Sequence, residues 1–176
     1  LEQLAASANP PLTIQAEAVT MPSSPLEHIW KFSSARKSIG EGDFDVVVLQ
    51  EDIQETDSWN ESTSFDSFYE YVRMFDAEIK EAGAETVLYM AYPDEKSGDK
   101  RYKPITIDEI SQAHRSIAEE LGIDVAPVGL AFQRAMAERP ELDVYYYDEI
   151  HPSIYGRYLT ANVVYATVFG KSPVGL

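Results

Sequence analysis

Asp148 and His151, three residues apart, are the pair in this sequence whose types and spacing suit proton transfer. A carboxylate that accepts a hydrogen bond from one imidazole nitrogen sets the tautomer. The other nitrogen is then a base for a hydroxyl, which is the division of labour of a Ser-His-Asp triad. Pro152 has no amide N–H and suits the first turn of a helix, which predicts a helix from residue 152 with His151 at the cap position, outside the helix and facing a cleft. Ile154, Tyr158, Ala161, Tyr165 and Val168 recur three or four residues apart on one face of that helix, and Gly170 terminates it. An Asp-x-x-His pair by itself is common, as a surface aspartate beside a capping histidine, so the surrounding residues must carry the distinction.

The 176 residues with 44% apolar content are enough for one domain, residues 1–176, with its own core. Fourteen basic residues stand against 30 acidic ones, and the formal charge of -16 repels phosphate backbones and anionic lipid, which argues against a nucleic-acid partner. The absence of cysteine excludes a disulfide framework, a thiol nucleophile and a cysteine metal site, but assigns no compartment. A signal peptide would lie upstream of Leu1, so localisation stays open. No apolar run is long enough to predict a membrane span. His28 and His114 fall within predicted helices with no second histidine at ligand spacing, so neither a metal nor a cofactor is expected.

The elements that would position the pair alternate between the two periodicities. Residues 1–7 read as the tail of a helix, stopped by Asn9-Pro10-Pro11, and residues 12–19 alternate cleanly enough to predict an outer strand. Ser24, Pro25 and Glu27 form a capping pattern that opens a helix to about Ile39, before Gly40 and Gly42. Residues 45–49 are a continuous β-branched run that predicts a central strand buried on both faces, ending abruptly in Gln50-Glu51-Asp52. Phe65, Phe68, Val72, Phe75 and Ile79 mark a helix closed by Gly83, and residues 86–91 the next strand. Residues 92–104 form a surface excursion whose acidic spacing is not that of a calcium loop. Thr106 and Glu109 make a capping box before Ile107, Ile110, Ile117 and Leu121, with Gly122 after them. A short strand over 123–126, a helix opened by Pro127 through about Glu138 and a loop back to Asp148 complete the chain. Strands alternating with helices of this size predict an α/β fold, a parallel sheet between two helical layers, with reactive groups beyond the carboxyl ends of its strands.

Val46-Val-Val-Leu-Gln50-Glu51, Pro127-Val-Gly-Leu-Ala, and Asp148-Glu-Ile-His151-Pro-Ser followed by Gly156-Arg-Tyr-Leu together resemble a bacterial branch of the SGNH (GDSL-like) hydrolases that carries Gln where others carry Asn. The resemblance covers nearly the whole chain and implies a three-layer, flavodoxin-like α/β/α domain. It implies a carboxylesterase or acetylesterase acting on a small ester or acylated sugar, with no cofactor. His151 would be the base and acid, Asp148 its orienter, and Gln50 a side-chain donor to the oxyanion hole. The loop Thr20-Met-Pro-Ser23-Ser24 stands where the family has a glycine, so the second donor would be the backbone amide of Ser23.

The family's nucleophile follows its first strand in a Gly-Asp-Ser or Gly-Asn-Ser turn, and this sequence has no such turn before residues 1–7. The resemblance therefore implies a first strand and a serine-bearing turn upstream of Leu1. Among internal serines, Ser24 reads as a helix cap and Ser153 lies within a first turn too close to His151, which leaves Ser23 as the internal candidate. The aromatics Trp30, Trp59 and Tyr145 to Tyr147 suit an acyl chain or a sugar face alike. The alternative from another class is an inactive domain that binds glycan through the same cleft.

Overall fold

The structure is a computed structural model, and it describes residues 1–52, 65–92, 105–148 and 150–176. Three apolar runs form the strands β1 (Val46–Gln50), β2 (Glu85–Tyr89) and β3 (Asp124–Ala126). Seven helices accompany them: α1 (Glu2–Ala6), α2 (Leu26–Phe32), α3 (Ala35–Glu41), α4 (Asp66–Glu81), α5 (Ile107–Leu121), α6 (Val128–Glu138) and α7 (Ile154–Phe169). The sheet is parallel throughout in the order β1-β2-β3, with Gln50 opposite Tyr89 and Tyr89 opposite Ala126. Parallel neighbours need a crossover connection, and α4 and α5 supply the two that this order requires.

The faces of the sheet are covered by different helices. Leu88 of β2 packs with Leu26, Ile39, Phe68, Val72, Phe75, Ile79, Ala113 and Ile117, which come from α2 to α5. Its neighbour Tyr89, pointing the other way, packs with Val128, Phe132 and the α7 residues Leu159, Val163 and Val164. The architecture is thus α/β with three layers, as the periodicity predicts. The capping box is present: Glu109 N–H donates to Thr106 Oγ1 at 3.2 Å, the Thr106 N–H donates to Glu109 Oε2 at 2.8 Å, and Gly122 closes α5 at φ 66°. Among the described residues no helix is long and apolar enough to cross a membrane.

Four expectations need correction. Residues 12–19 form no strand, because no neighbouring strand among the described residues offers them a ladder; the Leu12 and Ala16 amides instead donate to Ala5 O at 2.9 Å and Glu2 Oε1 at 3.0 Å. The helix expected over 24–39 is two helices. Ser33 separates them by competing for the backbone, its Oγ donating to Ile29 O at 2.6 Å and accepting from Ala35 N at 3.0 Å. Among the described residues β1 lies at the edge of the sheet rather than at its centre: Val48 is 41% exposed, whereas its register partner Val87 of β2 is 4% exposed. The apolar face expected on α7 is covered only in part, with Tyr165 buried and Ile154 and Tyr158 exposed. The loop after β1 and the 92–104 excursion fall almost wholly outside the described residues, as does Trp59.

His114 is the buried histidine of this core, its ring tilted against Phe68 at 4.7 Å with Nδ1 2.9 Å from Ile110 O. Burial pushes its pKa down from 6.5 to about 4, against the opposing effect of hydrogen bonds to the backbone at Ile110 and Tyr89. A folded state that keeps the imidazole neutral is favoured above the unfolded pKa and loses that advantage as protons bind the unfolded chain more readily. Stability should therefore fall as pH drops from 6.5 towards about 4. Denaturant midpoints across that range should show a flatter acid limb for His114→Gln than for the parent; equal slopes would contradict the assignment.

Candidate active site

The loop that carries Asp148 and His151 is a small antiparallel turn closed on itself. Tyr145 bridges Pro152, the Tyr146 N–H donates to His151 O at 2.7 Å, and the Ser153 N–H donates to Val144 O at 2.9 Å. Val144, buried against Val128 and Phe132, fastens the turn to α6. Ser153, not His151, caps α7: its Oγ accepts from the Tyr155 and Gly156 amides at 3.1 and 3.2 Å and donates to Asp143 O at 2.6 Å. A hydroxyl satisfies two orphan amides at once, so the helix starts two residues later than Pro152 predicts, and Pro152 occupies a bridge position. His151 still lies outside the helix.

Within the turn, Asp148 divides its two oxygens. Oδ1 accepts from the Ile150 and His151 amides at 3.0 and 2.9 Å, and Oδ2 lies 2.7 Å from His151 Nδ1. The His151 amide, then its ring, then the Ile150 amide hold the Asp148 carboxyl at about 2, below its ordinary 3.8. The stabilisation this gives the loop is present above 3.8 and is lost as pH falls through about 2, so Asp148 is an anion at neutral pH. An anionic acceptor at this distance keeps the proton on Nδ1 and leaves Nε2 as the basic nitrogen. The His151 side chain is 72% exposed.

Gln50 and the Asp148–His151 turn both lie towards the carboxyl end of the sheet. Gln50 ends β1, exposed and in register with Tyr89. Three residues beyond Tyr89, Tyr92 stacks on Phe132 at 4.5 Å and meets Tyr145 edge-on at 5.1 Å, which docks the Asp148–His151 turn against the carboxyl end of β2. Burial pushes the Tyr92 hydroxyl pKa up, and Tyr89, Tyr145 and Asp148 add to the shift. Ser23 is exposed, with a left-handed φ of 45° that a serine rarely adopts. Ser24 does not cap α2; its hydroxyl donates to Pro22 O at 3.0 Å, and Pro25 occupies the cap position.

Some aromatics separate from the site. Trp30 lies in the core layer, edge-on to Phe75 at 4.9 Å with the Arg36 guanidinium 4.2 Å from its ring centre. Tyr146 and Tyr147, by contrast, are exposed next to Asp148 with their rings 4.3 Å apart. Two residues escaped the sequence reasoning. Tyr92 opens the excursion after β2 and looked like loop; Glu51 was visible only as part of a polar strand end, yet it is buried and accepts from the Leu26 amide at 3.3 Å.

No protein-family model matches the chain, and no curated protein matches it in sequence. Solved structures do. A protein from Slackia heliotrinireducens described as an SGNH hydrolase superposes with a TM-score of 0.64 at 24% identity, over 82% of this chain and 79% of that one. A catalytic mutant of Axe2, an acetylxylan esterase from Geobacillus stearothermophilus, in which a histidine is replaced by alanine, gives 0.69 at 16% identity over 98% of this chain and 80% of that one. A second catalytic mutant of Axe2, serine to alanine, gives 0.66 at 17% identity over 93% and 76%. The fold is that of the SGNH hydrolases.

Gly156 is where α7 meets the turn most closely. A Cβ there would lie 2.1 Å from Val144 O and 3.0 Å from the Phe132 ring. Gly156→Ala must push α7 away from the turn and should lower stability by about 1–3 kcal/mol. Urea unfolding measures this; an unchanged midpoint would mean that the contact is not tight.

Proposed function

We propose that this chain, with its SGNH-hydrolase fold, is a serine ester hydrolase for short acyl esters in which His151 is the general base and acid and Asp148 orients it. The observation that carries the reading is the 2.7 Å contact between Asp148 Oδ2 and His151 Nδ1, made by an anionic carboxylate on an exposed turn at the carboxyl-end rim of the sheet. In this reading His151 Nε2 takes the proton of a serine hydroxyl as its oxygen attacks the ester carbonyl. The side-chain amide of Gln50 and the backbone amide of Ser23 donate to the oxyanion. Collapse expels the alcohol, which receives its proton from the imidazolium, and water repeats the sequence on the acyl-enzyme.

The serine is proposed to arrive on a strand paired with the open edge of β1, in a segment preceding residue 1. Three observations support this. Val48 is exposed in an apolar strand, residues 12–19 have the alternation of a strand but no ladder among the described residues, and about a fifth of the Axe2 chain lies outside the match. Ser23 is the internal alternative. An acetylated carbohydrate is the preferred substrate class, supported by the paired exposed rings of Tyr146 and Tyr147 beside Asp148, which suit a sugar face, and by the description of Axe2 as an acetylxylan esterase.

Hydrolysis of a chromogenic acetyl ester by a form extended upstream of residue 1 tests the reading. His151→Ala should lower kcat/KM by about 10³-fold or more while thermal melting hardly changes, and Asp148→Asn should retain a small residual rate. Parental turnover by a folded His151→Ala variant would sink the assignment. Fluorophosphonate labelling of the 176-residue chain and of a form extended by its upstream codons locates the nucleophile. Equal, stoichiometric labelling of the shorter form at Ser23 would replace the upstream serine.

A further inference from the structure

Helix α2 has no cap of its own. Pro25, at the cap position, has no side-chain acceptor to offer, and the neighbouring Ser24 hydroxyl is directed to Pro22 O at 3.0 Å. The first amide of the helix, Leu26 N–H, is nevertheless satisfied from across the fold: Glu51 Oε2, 25 residues away, accepts it at 3.3 Å. Both partners are buried, Glu51 at 4% and Leu26 at 2% exposure. Glu51 immediately follows Gln50, and Leu26 comes three residues after Ser23, so one hydrogen bond ties together the two segments proposed to supply the oxyanion donors.

The turn it holds has a reason to move. Ser23 has a φ of 45°, a conformation that costs a non-glycine residue free energy and persists only where the surroundings over-determine it. Pro22 on one side and Pro25 on the other restrict the turn without donating a backbone hydrogen bond to it. A buried carboxylate on the following helix amide, aided by the positive end of the α2 dipole, provides the missing constraint.

We infer that Glu51 is a positioning residue: its carboxylate pins the Met21–Pro25 turn, and with it the Ser23 amide, to the end of β1 that bears Gln50. This rests on the oxyanion roles proposed above for Gln50 and Ser23, and adds the residue that would set their spacing. Glu51 itself touches no reacting atom in this scheme.

The test uses two variants and three readouts. Glu51→Gln keeps an oxygen acceptor of the same length, and Glu51→Ala removes it. Amide hydrogen exchange followed by NMR on the 176-residue chain should show the Leu26 amide exchanging about tenfold faster in Glu51→Ala, the factor expected for loss of one hydrogen bond, and backbone 15N relaxation should show Ser23 and Ser24 more mobile, with Glu51→Gln close to the parent in both. Exchange at Val72 and Ile79 in the core reports whether the variants stay folded. In acetyl-ester hydrolysis by the form extended upstream of residue 1, which carries the proposed serine, Glu51→Ala should lower kcat by about tenfold with KM nearly unchanged, since only transition-state donors are displaced, and Glu51→Gln should restore most of it. Unchanged exchange at Leu26 in a folded Glu51→Ala variant would overturn the pin. Faster exchange at Leu26 with unchanged relaxation at Ser23 and Ser24, or both changes with parental kcat, would reduce Glu51 to a helix cap and overturn the positioning role. If the extended parent hydrolyses no ester, the proposed function fails separately, and exchange at Leu26 with relaxation at Ser23 and Ser24 decides whether the pin exists.

Discussion

A parallel sheet places two demands on the chain, and most of this structure follows from them. Each strand must be reached by a crossover, so helices are laid on the faces, and each interior strand must be paired along both edges. β2 meets both demands: it pairs with β1 and β3, and Val87 and Leu88 are buried. β1 has an equally apolar sequence but a partner on one side only among the described residues, and Val48 faces solvent as a result. The same parallel arrangement sends every strand towards one rim. Gln50, the Tyr89–Tyr92 segment and Pro127 gather there, and the Asp148–His151 turn reaches the rim through Tyr145 and Tyr92.

Interactions within a few residues of one another were the legible part of the sequence. The capping box of Thr106 and Glu109, the termination of α7 at Gly170 and the Asp148–His151 pair all depend on partners at most a few positions away, and all form as the spacing predicts. The α4 stripe from Phe68 to Ile79 was legible for a related reason, since a helix repeats its buried face at a fixed period and Phe68, Val72, Phe75 and Ile79 are all buried. A local competition explains the errors at helix ends. Ser33 and Ser153 both use their hydroxyls on nearby backbone, one splitting the expected 24–39 helix and the other starting α7 two residues late.

What the sequence concealed is non-local. Alternation over 12–19 is a statement about faces, not about edges, and a strand exists only where another backbone completes its ladder. The partial burial of Trp30 against Phe75 and the exposure of Val48 are likewise set by neighbours distant in the chain. The candidate oxyanion donors belong to this class. Gln50 was legible as a polar residue ending an apolar strand, but nothing in its vicinity shows that Glu51 reaches back to Leu26, because that contact spans 25 positions.

The Asp148 turn shows why the local part of such a site is so compact. One carboxylate oxygen is committed to backbone amides, which fixes the path of the chain from Asp148 to His151; the other is committed to the ring, which fixes the tautomer. The two commitments reinforce each other. The amides that shape the turn also hold the carboxyl at about 2, and a carboxylate that stays ionised is the acceptor that keeps the proton on Nδ1. An exposed histidine without such an anchor would sample many rotamers and both tautomers, and would lose the fixed direction that a proton transfer needs. Burial would achieve the same order only by penalising the imidazolium that any general base of this kind must form. Here the order comes from three hydrogen bonds to one surface anion, so His151 is oriented while it remains in contact with water.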